Sequence, residues 1–202
     1  SRSESMRAST KRHPSDIRLT VGCDETGRIS GFVFDGIFNT GAYASWGPTV
    51  ANRVPIHASG PYATKDYRAN SIAVHTNAPP AGAFRGFGVP QSAVAQECAF
   101  DLLAEKLGMD RLAFRRLNAL KNGIPTVTGQ VFNSGVGIDD CFAALEDSWH
   151  TAVASAASFI QNAISDDSPW RRGVGIASCG YGCGNTSLPN PSTMRFGITA
   201  DG

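Results

Sequence analysis

Between the strand-like and the helix-like sequence of this chain lies the stretch Thr76-Asn77-Ala78-Pro79-Pro80-Ala81-Gly82-Ala83-Phe84-Arg85-Gly86-Phe87-Gly88-Val89-Pro90-Gln91. Its prolines fix the backbone and its glycines permit unusual φ angles, so it predicts a rigid loop that delivers Arg85 to a helix start near Gln91. The glycines beside Phe87 let backbone amides point at an anion or oxo group, and the helix start adds partial positive charge. The residues suit a planar anionic cofactor or heteroaromatic ligand, or form an ordinary turn with core phenylalanines and a surface arginine.

Strand patterns precede this loop. Residues 17–23 alternate apolar and polar side chains, residues 24–27 form a turn, and residues 29–39 are rich in Phe, Val and Ile, which predicts a β-hairpin. Residues 41–67 have no clean period and predict a long ordered loop region, with a candidate short helix at 50–58. Residues 70–76 predict a short strand.

Helical patterns follow the loop. They predict helices over residues 91–107, stopped by Gly108, over 111–120, capped by Asp110, and over 139–164. Two further strands are expected at 172–184 and 194–200, joined by a loop at 185–191.

The order of strands, helices and strands predicts an α+β fold of mixed α/β layers, in which a hairpin and further strands pack with a central group of helices. We expect two parts: residues 1–122 hold the β-rich segment, the loop and two following helices, and residues 123–202 hold a helix and terminal strands. The chain lacks an initiator Met and stops on a strand running into Asp201-Gly202, so we expect a piece of a longer polypeptide.

Composition narrows the partners. With a net charge of +1 and no run of like charge, the chain gives no reason to expect nucleic acid or a membrane surface as partner. It also has no apolar run near the roughly 20 residues of a membrane span. Five cysteines, an odd number at irregular spacing, predict reduced thiols and therefore a cytoplasmic protein.

Other chemical motifs are weak. The four histidines are scattered with no nucleophile motif beside them, which favours structural roles. Gly180-Tyr181-Gly182-Cys183-Gly184 lacks the dinucleotide-binding spacing, and Cys179 and Cys183 lack companion zinc ligands. Glu97 and Glu105, on the helix after the loop, are expected to be solvated helix-face charges.

Residues 76–91 as a whole resemble the cofactor loop of molybdenum hydroxylases of the xanthine dehydrogenase/aldehyde oxidase family. Further stretches are similar to the same family, so the likeness spans nearly the full chain: Lys11-Arg12-His13-Pro14, Gly60-Pro61-Tyr62, and Val174-Gly175-Ile176-Ala177 leading to Gly182-Cys183-Gly184-Asn185-Thr186. The resemblance identifies the chain as an internal piece of the molybdopterin-binding subunit of such an enzyme.

The resemblance also implies roles for individual residues. Phe84, Arg85 and Gly86 would contact the cofactor, and Phe87 would stack on the substrate ring. Arg53 matches an arginine that orients an oxo or carboxylate group in purine-oxidising members, with a structural salt bridge as the alternative. In the copper-containing carbon monoxide dehydrogenase branch a cysteine follows the loop arginine, and Gly86 in that position disfavours this branch.

The implied activity is hydroxylation of purines, N-heterocycles or aldehydes with water-derived oxygen. The implied cofactor is molybdopterin, alone or as a dinucleotide, carrying molybdenum without a direct side-chain ligand from this chain. The rest of the molybdenum subunit, together with 2Fe-2S clusters and FAD on partner domains or subunits, would complete the enzyme, which we expect to form a dimer.

The family's glutamate base has no match here, so no catalytic residue is assigned and the chain by itself should be inactive. The rival hypothesis from another class is a non-catalytic interaction or nucleotide-binding domain whose glycine-rich loops only form turns.

Overall fold

The computed structural model describes residues 1–182 and 193–200. Within these residues, the elements follow in the order α1 (Arg2–Ala8), β1 (Ser15–Cys23), β2 (Ile29–Gly41), α2 (Gly47–His57), β3 (Asp66–His75), α3 (Val89–Leu107), α4 (Arg111–Asn118) and α5 (Ile138–Ser165). The mixed α/β class expected from the sequence is confirmed. The division of the chain after residue 122 stays a prediction.

The predicted hairpin is present, because β1 and β2 pair antiparallel along their length. The Asp24 carboxylate closes its turn by accepting the backbone N–H groups of Thr26 at 2.9 Å and Arg28 at 3.0 Å. The strand expected at 70–76 is longer than predicted and forms β3, which pairs parallel to β2. A parallel return needs a crossover connection, and α2 lies in that connection. The region expected to be a long loop, with only a candidate short helix at 50–58, thus contains a helix of about three turns.

The core is built on β2, the central strand of the sheet. Phe32, Phe34 and Phe38 lie two or four residues apart and are fully buried, because side chains two apart share one face of a strand. Phe100 of α3 meets the Phe32 ring edge-on at 6.4 Å between centroids. Burial of one such side chain stabilises the fold by roughly 1.5–3 kcal/mol, so this face of β2 fixes where α3 runs.

The helix boundaries follow the predicted signals. Gly108 ends α3 in the left-handed conformation, with φ +63°, and the Asp110 carboxylate caps α4 by accepting Ala113 N–H at 2.9 Å. Asp166 lies at the C-terminal end of α5, where a break was expected. The short helix α1 was not anticipated; it begins with a capping box between Ser1 and Glu4. In the described part of the chain, no helix is long and apolar enough to span a bilayer.

The two strands expected near the end of the chain are wrong over their described residues, 172–182 and 194–200, which have no strand structure. A strand requires a hydrogen-bonded neighbour. Val174 and Ile176 pack against the core side chains instead of extending the sheet. Residues 183–184 and the loop expected at 185–191 lie outside the described residues.

Glu97 corrects a second expectation. Its carboxylate is buried between α3 and α4, with 5% of the residue exposed, whereas Glu105 on the same helix is solvent-exposed as predicted. Arg115 Nε donates to Glu97 Oε2 at 2.7 Å, and Arg115 Nη2 lies 2.6 Å from the same oxygen. Tyr62 Oη and Gln96 Nε2 donate to Oε1 at 2.9 and 3.0 Å. The residue type alone predicted exposure, and only partners brought by other segments offset the cost of burial.

Titration of this cluster is shifted by the burial. Desolvation lowers the pKa of Arg115, but the charge and hydrogen bond of Glu97, together with the charges of Tyr62 and Asp101, exceed this effect and raise the pKa above its usual value. Burial, and then the Glu97 charge, raise the pKa of Tyr62. Tyr62 therefore remains a neutral hydroxyl that donates to the carboxylate.

We expect Glu97→Gln to lower the free energy of unfolding by about 3 kcal/mol, because it leaves the buried Arg115 without its main counter-charge. Denaturant unfolding measures this, with Glu105→Gln as the matched control on the exposed face of the same helix. The control should change stability by no more than about 0.5 kcal/mol. Equal effects of the two substitutions would contradict a structural role for Glu97.

Candidate functional site

The loop before α3 contains two backbone hydrogen bonds between residues three apart, from Phe87 N to Phe84 O at 2.8 Å and from Val89 N to Gly86 O at 2.9 Å. Three consecutive residues have positive φ angles: Gly86 at +86°, Phe87 at +42° and Gly88 at +102°. For Phe87 this conformation costs roughly 1–2 kcal/mol. The backbone is thus held in a shape that few sequences adopt, as expected of a ligand-binding loop.

Gly88 is the point where the loop meets α2. It precedes the first residue of α3, and a Cβ atom added there would lie 2.9 Å from Val54 Cγ2 and 3.2 Å from Val50 O. Only glycine allows this approach. The helix that carries Arg53 is therefore in direct contact with the end of the loop.

Arg85 offers hydrogen-bond donors to a ligand. It is exposed, and within residues 1–182 and 193–200 its side chain makes no hydrogen bond and no ion pair. The backbone N–H groups of Arg85 and Gly86 likewise donate to no described residue. These donors lie just before the N-terminus of α3, where the helix dipole favours negative charge, so the loop fits an anionic or oxo-bearing group.

Aromatic side chains surround these donors. The Phe87 ring is half-buried and lies 6.4 Å from the Trp46 ring at an interplanar angle of 66°, an edge-on contact. Trp46 is 58% exposed and Phe84 is 46% exposed. Sequence reasoning missed Trp46, because it precedes α2, well before the loop in sequence, and no motif marks it. The surface combines flat apolar walls with cationic donors.

The segment Lys11-Arg12-His13-Pro14 runs beside the loop. Lys11 N donates to Pro80 O at 3.0 Å, and Gly82 N donates to Lys11 O at 3.1 Å. Arg12 reaches the loop itself: its Nη2 donates to Arg85 O at 2.6 Å. The family resemblance of this segment was the only sequence signal for it.

Arg53 is buried on α2, and its Cζ lies 5.9 Å from the centre of the Tyr181 ring. The Tyr181 ring also stacks on His57 at 5.2 Å. His57 Nε2 accepts Gly182 N–H at 3.2 Å, so Nδ1 carries the proton and donates to Arg53 O at 3.0 Å. Burial lowers the pKa of His57, which favours this neutral form.

The segment over Arg53 is anchored to the core cluster. Ser178 Oγ lies 2.7 Å from Tyr62 Oη, which in turn donates to Glu97. Residues near 178 therefore follow the position of α3. A cavity of about 160 Å³ is lined in part by His57 and Tyr181.

The larger cavity of the structure does not lie at the loop that carries Arg85. A larger cavity of about 660 Å³, lined in part by Arg28, Lys65 and Lys121, shares no lining residue with the loop. Among the described residues no group of three His, Cys, Asp or Glu side chains could hold a metal ion.

Comparison with known proteins assigns the loop to a family. The molybdopterin cofactor-binding domain family matches residues 1–119, which is more than half of the chain. The chain belongs to this family. The matched range of the molybdopterin cofactor-binding domain contains both the loop and Arg53, and the expected resemblance is confirmed.

Individual relatives agree with the family. The chain is 44% identical over 138 residues to the nicotinate dehydrogenase large molybdopterin subunit of Eubacterium barkeri, covering 68% of this chain and 32% of that protein. It is 32% identical over 184 residues to the xanthine dehydrogenase molybdenum-binding subunit of Escherichia coli, covering 90% and 23%. The solved aldehyde oxidoreductase of Desulfovibrio gigas matches with a TM-score of 0.71 and 31% identity, covering 74% and 16%. The chain thus spans 16–32% of the length of these relatives.

We expect Gly88→Ala to destabilise the protein more than the same change at a glycine that is strained only by its φ angle. The matched control is Gly123→Ala, since Gly123 has φ +81° and an added Cβ would meet nothing within 4 Å. Both alanines carry the left-handed cost of roughly 1–2 kcal/mol, but only residue 88 adds the clash with α2, worth about 1–3 kcal/mol more. Denaturant unfolding of both variants compares them, and equal losses would contradict the close approach.

Proposed function

We propose that the complete protein is a molybdenum-dependent oxidoreductase that hydroxylates a purine, another N-heterocycle or an aldehyde with water-derived oxygen. This chain would supply cofactor and substrate contacts. The observation that carries the proposal is the exposed Arg85, whose donors are unused among the described residues, in a loop of forced backbone shape within a molybdopterin-binding family.

Phe84, Arg85 and Gly86 would hold the cofactor, which when bound supplies the redox-active centre. The Arg85 guanidinium donates to an anionic or oxo group, and the Gly86 amide adds a second donor beside the start of α3. Phe84 gives a flat, partly exposed face next to them. These residues orient the cofactor, and they do not transfer protons.

Phe87 and Arg53 would bind the substrate. The Phe87 ring, held edge-on by Trp46, presents an apolar face suited to stacking on a planar heterocycle. Arg53 has a forked set of donors that matches an oxo or carboxylate group, and its burial strengthens any charge pairing there. The contact between α2 and the loop at Gly88 supports a common site for the two residues.

The wider assembly is also part of the proposal. The remainder of the molybdenum subunit, with the catalytic glutamate, and partner domains or subunits with 2Fe-2S clusters and FAD would complete the enzyme as a dimer. The relative from Eubacterium barkeri is itself named a large subunit, which supports the presence of further subunits. Four described cysteines are free thiols, which supports a reducing, cytoplasmic location: Cys23, Cys98, Cys141 and Cys179.

The central test replaces Arg85 and Phe87 in the complete protein. Arg85→Met should lower molybdenum content and turnover by about tenfold or more, since a charge-assisted hydrogen bond contributes about 1.5–3 kcal/mol. Phe87→Leu should raise KM while molybdenum content is retained. Elemental analysis and steady-state kinetics measure both.

The control is Arg18→Met on β1, an exposed arginine far from the loop in sequence, which should leave both quantities unchanged. A complete protein that folds and never takes up molybdenum would favour the non-catalytic binding domain instead.

The proposed role of Arg53 predicts a difference in KM between two classes of substrate. Arg53→Lys keeps the charge but loses the fork, so KM for a heterocyclic carboxylate or oxopurine should rise by roughly 10- to 100-fold. KM for a simple aldehyde, which lacks the second group, should stay near the parent value. Equal increases in KM for both substrate classes would mean that Arg53 has a structural role and does not bind the oxo or carboxylate group of the substrate.

A further inference from the structure

We propose that Arg12 is the positioning residue of the cofactor loop: it fixes the orientation of the peptide between Arg85 and Gly86 before the cofactor binds. The proposal rests on the function proposed above, because only that function makes the loop a cofactor site. It concerns a residue outside the loop, 73 positions away from Arg85 in the sequence.

The guanidinium of Arg12 makes three contacts at once. Nη2 donates to Arg85 O at 2.6 Å, and Nη1 donates to Gln91 Oε1 at 3.3 Å. Its Cζ lies 4.9 Å from the centre of the Phe84 ring. The planar guanidinium of Arg12 thus connects the Phe84 ring, the backbone of Arg85 and, through Gln91, the first turn of α3.

The hydrogen bond from Arg12 to Arg85 O determines the direction of the Gly86 N–H group. The peptide bond is planar and trans, so the carbonyl of Arg85 and the amide of Gly86 point in opposite directions within one plane. Arg12 holds the oxygen on its own side. The Gly86 amide must then face away from Arg12, where it is unpaired among the described residues and open to a ligand.

Arg12 is itself held in place by its neighbours. Lys11 is hydrogen-bonded to Pro80 and Gly82 through its backbone, and His13 is buried with Nε2 3.1 Å from Thr40 Oγ1 of β2. The residue between two such anchors loses little freedom when it grips the loop. The loop is therefore preorganised, which reduces the entropic cost of ligand binding.

Arg12 keeps its positive charge available to the site. In residues 1–182 and 193–200 its partners are a carbonyl, an amide oxygen and a ring, and it forms no ion pair with a carboxylate. Arg115 and Arg116, by contrast, are each paired with acidic side chains. The charge of Arg12 thus adds to that of Arg85 in attracting an anionic group.

The test distinguishes the contribution of the paired guanidinium donors of Arg12 from that of its positive charge. In the complete protein purified without cofactor, amide hydrogen exchange of peptides covering residues 83–88 reports the order of the loop. Arg12→Met should raise this exchange by about tenfold or more and weaken molybdopterin retention. Arg12→Lys should raise the exchange as well, because an ammonium on a flexible stem lacks the rigid, planar pair of donors that the guanidinium presents to Arg85 O and Gln91. It keeps the positive charge and therefore part of the molybdopterin retention.

Arg18→Met is the matched control, and it should change neither readout. Exchange in β1 and β2 must stay at the parent rate in each variant, which separates a local effect from unfolding. If Arg12→Met does not fold, Arg12→Lys carries the exchange measurement. Parent-like exchange at residues 83–88 in a folded Arg12 variant overturns the proposal.

The two proposals fail in different ways. Loss of cofactor in Arg85→Met with parent-like exchange in both Arg12 variants keeps the proposed function and removes the positioning role. A complete protein that binds no molybdopterin, but whose loop exchanges faster in the Arg12 variants, removes the proposed function and keeps the mechanical role of Arg12.

Discussion

The buried carboxylate of Glu97 organises the structure around it. It collects donors from Arg115 on α4, from Tyr62 and from its neighbour Gln96, and the Tyr62 hydroxyl extends the cluster to Ser178. A buried carboxylate is tolerated only when it is paired and fully hydrogen-bonded, so these segments must meet at one place. The midpoint of α3 is fixed by this requirement.

The position of the loop follows from the position of α3. Gly88 lies nine residues before Glu97, which at about 1.5 Å per residue is about 13 Å along a rigid helix. The packing of Phe100 on β2 sets the direction of the same helix, and the contact of Gly88 with α2 sets its start. The same Glu97 cluster also anchors the segment that carries Tyr181 over Arg53. One interior cluster therefore stabilises both the loop that carries Arg85 and the segment packed over Arg53, the two parts of the proposed site.

The arginines divide into two groups by their partners. Arg115 and Arg116 have their charges met by carboxylates inside the fold. Arg12 bonds only to neutral acceptors and Arg85 to none among the described residues, so their charges remain available at the loop. Exposed aromatic rings lie beside these charges, as expected where a planar anionic cofactor and further protein surface approach. This distribution of charge is the physical basis for the proposed function.

Local sequence patterns were sufficient for the hairpin, for helices α3 to α5 and for the caps at Gly108 and Asp110, because each depends on periodicity or on hydrogen bonds between near neighbours. They gave α2 only as a candidate within a region expected to be a loop. The loop of residues 76–91 was also recognisable, since its prolines and glycines restrict the backbone wherever they occur. Only the tertiary structure decided that β3 runs parallel to β2, that Glu97 is buried, that residues 172–182 form no strand and that Arg12 grips the loop. These features join residues as far apart as Tyr62 and Ser178, 116 positions. No local pattern encodes such a meeting, because it depends on how the whole core packs.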